Sequence, residues 1–210
     1  MQAVVFDVDG TLLDSAPGIV AGYAHALAAV GFPVPSEEVL RGDLGPPVGD
    51  RFTALGLPAA DLDAAVAAYR RYYREAGMQQ ASVYPGVPEL LEALADLGIA
   101  LGTATAKLTT VAGPFLRLHG LDDRFRVVNG TDEEHRTKPE TLDHTLELLG
   151  RPDPDRVLMV GDRHSDVAAA HACGVGAVAV RWGYGSAEEL SSAGAHHLLD
   201  RPDQLLDLLG

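Results

Sequence analysis

Short runs of Val, Ile and other apolar residues alternate with longer stretches of helical periodicity over most of this chain. Runs that are apolar throughout suit strands buried on both faces, and their alternation with helices predicts a parallel sheet covered by helices on both sides. The strands are expected at Ala3–Phe6, Ile99–Ala104, Arg126–Val128, Val157–Val160 and Ala177–Val180. Helices are expected at about Pro88–Leu97, Leu108–His119, Pro139–Leu149 and Ser165–Ala172. Gly98, Gly120, Gly150 and Gly174 fall where those helices should stop, as left-handed capping by glycine requires.

Between the first strand and Tyr84-Pro85-Gly86 the rhythm changes. Val20–Val30, Val48–Leu55 and Leu62–Ala76 have helical patterns, separated by Phe32-Pro33-Val34-Pro35 and Gly45-Pro46-Pro47, and no convincing strand lies among them. This predicts an α/β core built from residues 1–15 and 83–210, with a small helical domain, residues 16–82, inserted after the first strand. The 210 residues suffice for one full core and a small accessory domain.

The longest apolar stretches are interrupted well before the roughly 20 residues of a membrane span, so no transmembrane helix and no membrane partner are expected. The N-terminus has no basic region and carries Asp7 where a signal peptide would be apolar, which predicts no export. Cys173, the single cysteine, cannot form an internal disulfide and suits a reducing compartment; the expected location is cytoplasmic. A formal net charge of −14 argues against nucleic acid as a partner. An anionic substrate would have to be drawn by a local positive centre, a metal or a few cationic side chains.

Asp7-Val8-Asp9-Gly10-Thr11 follows the first strand, placing two carboxylates at the carboxyl end of a parallel strand, where open α/β sheets bind ligands. Turn preference alone also favours Asp and Gly there, so a lone pair of this kind is weak evidence. A second acidic pair, Asp162 and Asp166, follows the fourth strand, with Asp166 expected at a helix start where the macrodipole by itself would favour it. Two unit charges about 4 Å apart repel by on the order of 4 kcal/mol at an effective dielectric near 20, so converging carboxylates demand a cation. With oxygen ligands alone, Mg²⁺ fits best. Lys138 precedes Pro139 at the expected start of a helix, where Pro139 suits the first position, and Thr103 and Thr105 after the second strand offer hydroxyls to a phosphate oxygen. Taken singly, the Lys is an ordinary surface charge and either Thr is structural. No histidine has a partner at metal-ligand spacing; His164, just after Asp162, is at most a neighbour of the site.

In this order the pieces resemble the four motifs of the haloacid dehalogenase superfamily, and its phosphoglycolate phosphatases in particular: Asp7-x-Asp9-Gly10-Thr11, Thr105, Lys138 before Pro139, and Gly161-Asp162-x-x-x-Asp166. The resemblance implies a Rossmann-like parallel sheet core with a small helical cap inserted after the first strand. It implies an Mg²⁺-dependent phosphatase in which Asp7 is the nucleophile that becomes an aspartyl-phosphate and Asp9 the general acid and base. The metal set would be Asp7, Asp9 through its backbone carbonyl, Asp162 and, behind them, Asp166. Thr105, Ala106 and Lys138 would hold the phosphoryl oxygens, with Thr103 an alternative to Thr105. The cap segment Arg41–Phe52 supplies Gly45, Pro46 and Arg51 as candidates for lining the pocket, against an ordinary surface role for Arg51.

The implied partner is a small phosphorylated metabolite, on a monomer or homodimer. A carboxylate at Asp9 argues against dehalogenase and phosphonatase chemistry. Ile19 stands where β-phosphoglucomutase-type mutases carry His, and a binding protein would have no need of the whole set. Asp14-Ser15-Ala16-Pro17 resembles the start of phosphoglycolate phosphatases, which implies 2-phosphoglycolate, whereas Gly18 replaces a common Asp and the Leu44-Gly45-Pro46-Pro47 loop resembles broader phosphatases, some acting on nucleoside monophosphates; phosphosugars also stay open.

Overall fold

Ala3–Phe6 is buried at every position because it runs through the middle of a five-stranded sheet. The computed structural model describes residues 1–42 and 44–209. Its strands are β1 (Ala3–Phe6), β2 (Leu13–Asp14), β3 (Ser82–Val83), β4 (Ala100–Thr103), β5 (Thr105–Leu108), β6 (Gly130–Thr131), β7 (Val157–Gly161), β8 (Gly176–Val180) and β9 (His197–Leu199). Its helices are α1 (Ala16–Ala29), α2 (Glu37–Arg41), α3 (Val48–Ala54), α4 (Ala59–Glu75), α5 (Val87–Asp96), α6 (Thr109–Leu118), α7 (Lys138–Leu148), α8 (His164–Cys173) and α9 (Ala187–Ser192). The chain divides into two compact units, Met1–Leu13 with Val83–Gly210, and Asp14–Ser82.

In the first unit the sheet order is β4-β1-β7-β8-β9, parallel at every pairing. Phe6 stands opposite both Thr103 and Val160, so the carboxyl ends of β4, β1 and β7 finish level. The residues that follow, Ala104, Asp7 and Gly161-Asp162, are therefore presented side by side. A core of Val5, Met159, Ala177, Leu142, Val167 and Ala170 joins the sheet to α7 and α8.

Two expectations for the sheet need correction. Arg126–Val128 is not a strand: Val127 makes a single bridge to Gly102, and the chain then pairs through β6 with β5, which begins only two residues after β4 ends. Among the described residues the interval expected to lack strands carries β2 and β3 at its two ends, and β9 and the short helices α2 and α9 also went unread, because two- to six-residue elements leave too few periods to detect.

Buried Asn129 explains how the chain bends there. Its backbone N–H donates to Thr103 Oγ1 at 2.9 Å, and its carbonyl accepts the same hydroxyl at 2.8 Å. Its side-chain Nδ2 donates to Thr141 O and Thr145 Oγ1 at 3.1 and 3.0 Å. Thr103 is thereby fully engaged in structure.

In the helical unit α1 packs on α4. A Cβ at Gly18 would lie 2.0 Å from the Gly77 carbonyl oxygen, so glycine there permits the backbone contact. Tyr69 stacks between Tyr23 and Tyr73, with centroids 5.1 and 5.7 Å away. Arg51 is not at the surface: it is 8% exposed and its guanidinium donates to Val39 O. Asp43, within the segment singled out above, lies outside the described residues.

Replacing Asn129 by Ala strips donors from two buried acceptors, so unfolding in denaturant should show a loss of roughly 1–3 kcal/mol with an unchanged m-value. A loss below about 0.5 kcal/mol would contradict this network's role.

Candidate functional site

Asp7 continues the β1 ladder, its N–H donating to Val160 O at 2.9 Å, and its side chain turns into a buried crevice at the sheet's carboxyl edge. Asp7 Oδ1 accepts the Val8 N–H at 2.7 Å and lies 3.0 Å from Lys138 Nζ. Lys138 Nζ is also 2.8 Å from Asp166 Oδ1 and donates to Ala104 O at 3.2 Å. The ammonium is thus shared by two carboxylates and a strand-end carbonyl.

A capping box fixes the position of Lys138. Thr137 caps α7: its hydroxyl accepts the Glu140 N–H, while Glu140 Oε2 accepts the Thr137 and Arg136 N–H groups, each at 2.9 Å. Lys138 is the first helical residue, so Pro139 stands second, one place later than expected. Asp166 is held in a related way, its Oδ2 accepting the Arg163 N–H at 3.0 Å at the start of α8.

Asp162 has no exposed surface. Its Oδ1 accepts the Thr11 hydroxyl at 3.2 Å and its Oδ2 the Tyr184 N–H at 2.7 Å. A Cβ on Gly10, where φ is +82°, would fall 2.2 Å from Asp162 Oδ2. Gly183 is packed as closely, 2.3 Å from Asp162 Cβ and from Gly10 O on the same construction. Only glycine fits on both sides of this carboxylate.

Ligand atoms of Asp7, Asp162 and Asp166 lie within 4.8 Å of one another. Three buried carboxylates against one ammonium leave an excess of two negative charges when all are ionised. Burial, abetted by Asp166 and Asp9 and opposed by Lys138, pushes the Asp7 pKa up to about 6. Burial and then Asp166 and Asp7 raise that of Asp162 well above the usual carboxylate range. Burial works against the Lys138 ammonium, but Asp166 and Asp7 outweigh it and hold its pKa above that of an ordinary lysine. An oxygen-only cluster short of positive charge fits a hard divalent cation.

Asp9 does not bring its carboxylate into this cluster. Asp9 Oδ2 is 2.9 Å from Lys107 Nζ, which also lies 4.6 Å from the Phe115 ring centroid. Lys107 went unread, although it directly follows Thr105 and Ala106. Thr105 is buried and its hydroxyl accepts the Lys107 N–H at 3.3 Å; Thr103, spent on Asn129, has no donor left for a ligand. Ala106 gives its carbonyl to the Thr131 hydroxyl at 3.1 Å. Trp182, also missed, donates from Nε1 to Thr11 O at 3.0 Å. His164 faces away, its side chain 64% exposed and its Nδ1 2.7 Å from Glu189 Oε1. The histidines do hold a metal-ligand grouping, contrary to expectation: Asp132, His135 and His144.

The haloacid dehalogenase-like hydrolase family model matches residues 4–180, and the chain belongs to that family. A tyrosine-protein kinase of Mycobacterium tuberculosis, PtkA, is 41% identical over 89% of this chain, which spans 64% of that relative's length. A phosphoglycolate phosphatase of Cupriavidus necator is 36% identical over 99% of this chain and 92% of its own. Among solved structures, a haloacid dehalogenase-like hydrolase of Streptococcus pneumoniae superposes with a TM-score of 0.94 at 28% identity, covering 100% of this chain and 99% of that one. The α/β parallel-sheet fold expected from the strand and helix pattern is thus the family's fold.

The raised Asp7 pKa has a consequence for stability. Between pH 3.8 and about 6 folded Asp7 keeps a proton that the unfolded chain has released, so this group's contribution falls as pH rises through that window. Without divalent cations, thermal melts of the parent and Asp7→Asn should diverge from pH 4 upward in favour of the variant and level off above about pH 6. A constant gap across that range would show that Asp7 titrates normally.

Proposed function

We propose that this chain is an Mg²⁺-dependent phosphomonoester hydrolase that passes the phosphoryl group of a small metabolite through Asp7 to water. The observation that carries this reading is the Asp7–Lys138–Asp166 contact beside Asp162, an arrangement suited to a nucleophile, a phosphate-binding cation and a metal site at one strand edge. Family membership and the phosphoglycolate phosphatase relative support it. The implied site is Asp7, Asp162 and Asp166 with the Asp9 carbonyl, and a magnesium ion bound there would neutralise the carboxylates and polarise the phosphoryl oxygens.

Asp7 attacks phosphorus through Oδ2, since the Val8 N–H and Lys138 both fall on Oδ1. The bond from phosphorus to the ester oxygen breaks, and Asp9, turning from Lys107, protonates the leaving oxygen. Water then attacks the aspartyl-phosphate, Asp9 takes its proton, and inorganic phosphate leaves with Asp7 regenerated. Lys138, Thr105 and the backbone at Ala106 hold the phosphoryl oxygens as charge develops on them. We assign residues 16–82 the role of cap, on the family resemblance, and 2-phosphoglycolate as the first substrate to test, on the relative of that activity.

The relative named as a tyrosine-protein kinase supports a second acceptor, a tyrosine hydroxyl in place of water. Incubation with labelled ATP separates the two: label released as inorganic phosphate favours hydrolysis, and label retained on a tyrosine peptide favours transfer.

With p-nitrophenyl phosphate, Asp7→Asn should lose activity by at least about 10³-fold while keeping the parent's far-UV spectrum. Exhaustive chelation should abolish turnover and Mg²⁺ restore it. Substantial turnover by the pure variant, or full activity after chelation, would refute the respective role.

A further inference from the structure

A second set of metal-ligating side chains gathers where the chain enters α7. Asp132 closes the turn after β6, its Oδ1 accepting the Glu134 and His135 N–H groups at 2.9 and 2.7 Å. His135 Nδ1 lies 3.0 Å from the same oxygen. His144, in the second turn of α7, stacks on His135 with ring centroids 4.0 Å apart and planes inclined by 15°. His144 Nδ1 is shielded from solvent and has no hydrogen-bond partner. One ligand atom from each of the three residues lies within 4.8 Å of the other two. The phosphoryl chemistry uses none of them.

We propose that Asp132, His135 and His144 form a second cation site, for a borderline transition ion of the Zn²⁺ class rather than Mg²⁺. Two imidazoles and one carboxylate are the donor set that suits such ions, whereas Mg²⁺ demands oxygen ligands. One feature beyond the grouping itself points to a ligand: a shielded imidazole nitrogen without a partner is a cost that a metal bond would remove.

Nearly parallel rings cannot both aim their lone pairs at one ion, so binding requires one to turn. His135 is that ring: it sits on the turn and its side chain is 25% exposed, whereas His144 is fixed on the helix. The ion would tie the turn at 132–137 to the helix that begins with Lys138. Three protein ligands with an open position filled by water make this a clamp on the residue that neutralises Asp7. It stands whatever the phosphoryl acceptor proves to be.

The test is calorimetric titration of the 210-residue chain with Zn²⁺ in excess Mg²⁺, added to fill the Asp7–Asp162–Asp166 cluster. One Zn²⁺ per chain is expected, with affinity reduced on the order of 10–100-fold or more in His135→Ala and in His144→Ala and unchanged in His164→Ala. Ring-proton NMR signals of two histidines should shift at the same stoichiometry. His135→Ala keeps the test sound if His144→Ala disturbs the fold, which far-UV circular dichroism reports. No uptake under excess Mg²⁺, or uptake that His135→Ala leaves intact, would overturn the proposal.

Discussion

The Lys138 ammonium, held between Asp7 and Asp166, is the interaction on which the site depends. Without it Asp7, Asp162 and Asp166 would form an uncompensated buried triad, and truncating one partner of such a set leaves charges with nowhere to go. Its placement draws on several parts of the fold. The capping box at Thr137 and Glu140 fixes the helix start, the level ends of β4 and β1 bring Ala104 O and Asp7 to it, and the first turn of α8 brings Asp166. One cation does not balance three anions, and burial, together with that deficit, raises the pKa values of Asp7 and Asp162. A site left short of positive charge in this way fits a hard divalent cation.

Close packing of backbone around Asp162 supplies the second constraint. Gly10 and Gly183 approach it from two sides where a Cβ would collide, and the Thr11 hydroxyl and Tyr184 N–H occupy its oxygens. The carboxylate is held by donors in a space too small for it to turn. Such preorganisation, set during folding, is what allows electrostatic stabilisation without reorganisation during reaction.

The local part of this arrangement was legible in the sequence. Asp7, Asp9 and Asp162 each follow an apolar run of strand type, so their position at a sheet edge could be read without any contact information. Lys138 became meaningful only through the family resemblance, because a Lys at a helix start has no distinguishing neighbours, although Thr137-Lys138-Pro139-Glu140 spells out its capping box. What could not be read is what tertiary pairing decides. Lys107 reaches Asp9 across nearly a hundred residues of chain, and Tyr184 and Trp182 come back to Asp162 and Thr11 from beyond β8. The expected strand at Arg126–Val128 failed because Asn129 binds Thr103 and bends the chain after one bridge. His135 and His144 escaped notice because eight residues of turn and helix lie between two rings that end up stacked.

Phosphoryl transfer to Asp7 is the step on which the proposed reaction turns. Acid quenching in the first turnovers with a fast phosphomonoester, followed by mass spectrometry of proteolytic peptides, tests it directly. One added phosphoryl mass is expected on the peptide containing Asp7, removed by hydroxylamine and absent from Asp7→Asn. Phosphate release at the normal rate with that peptide unmodified at every quench time would contradict it.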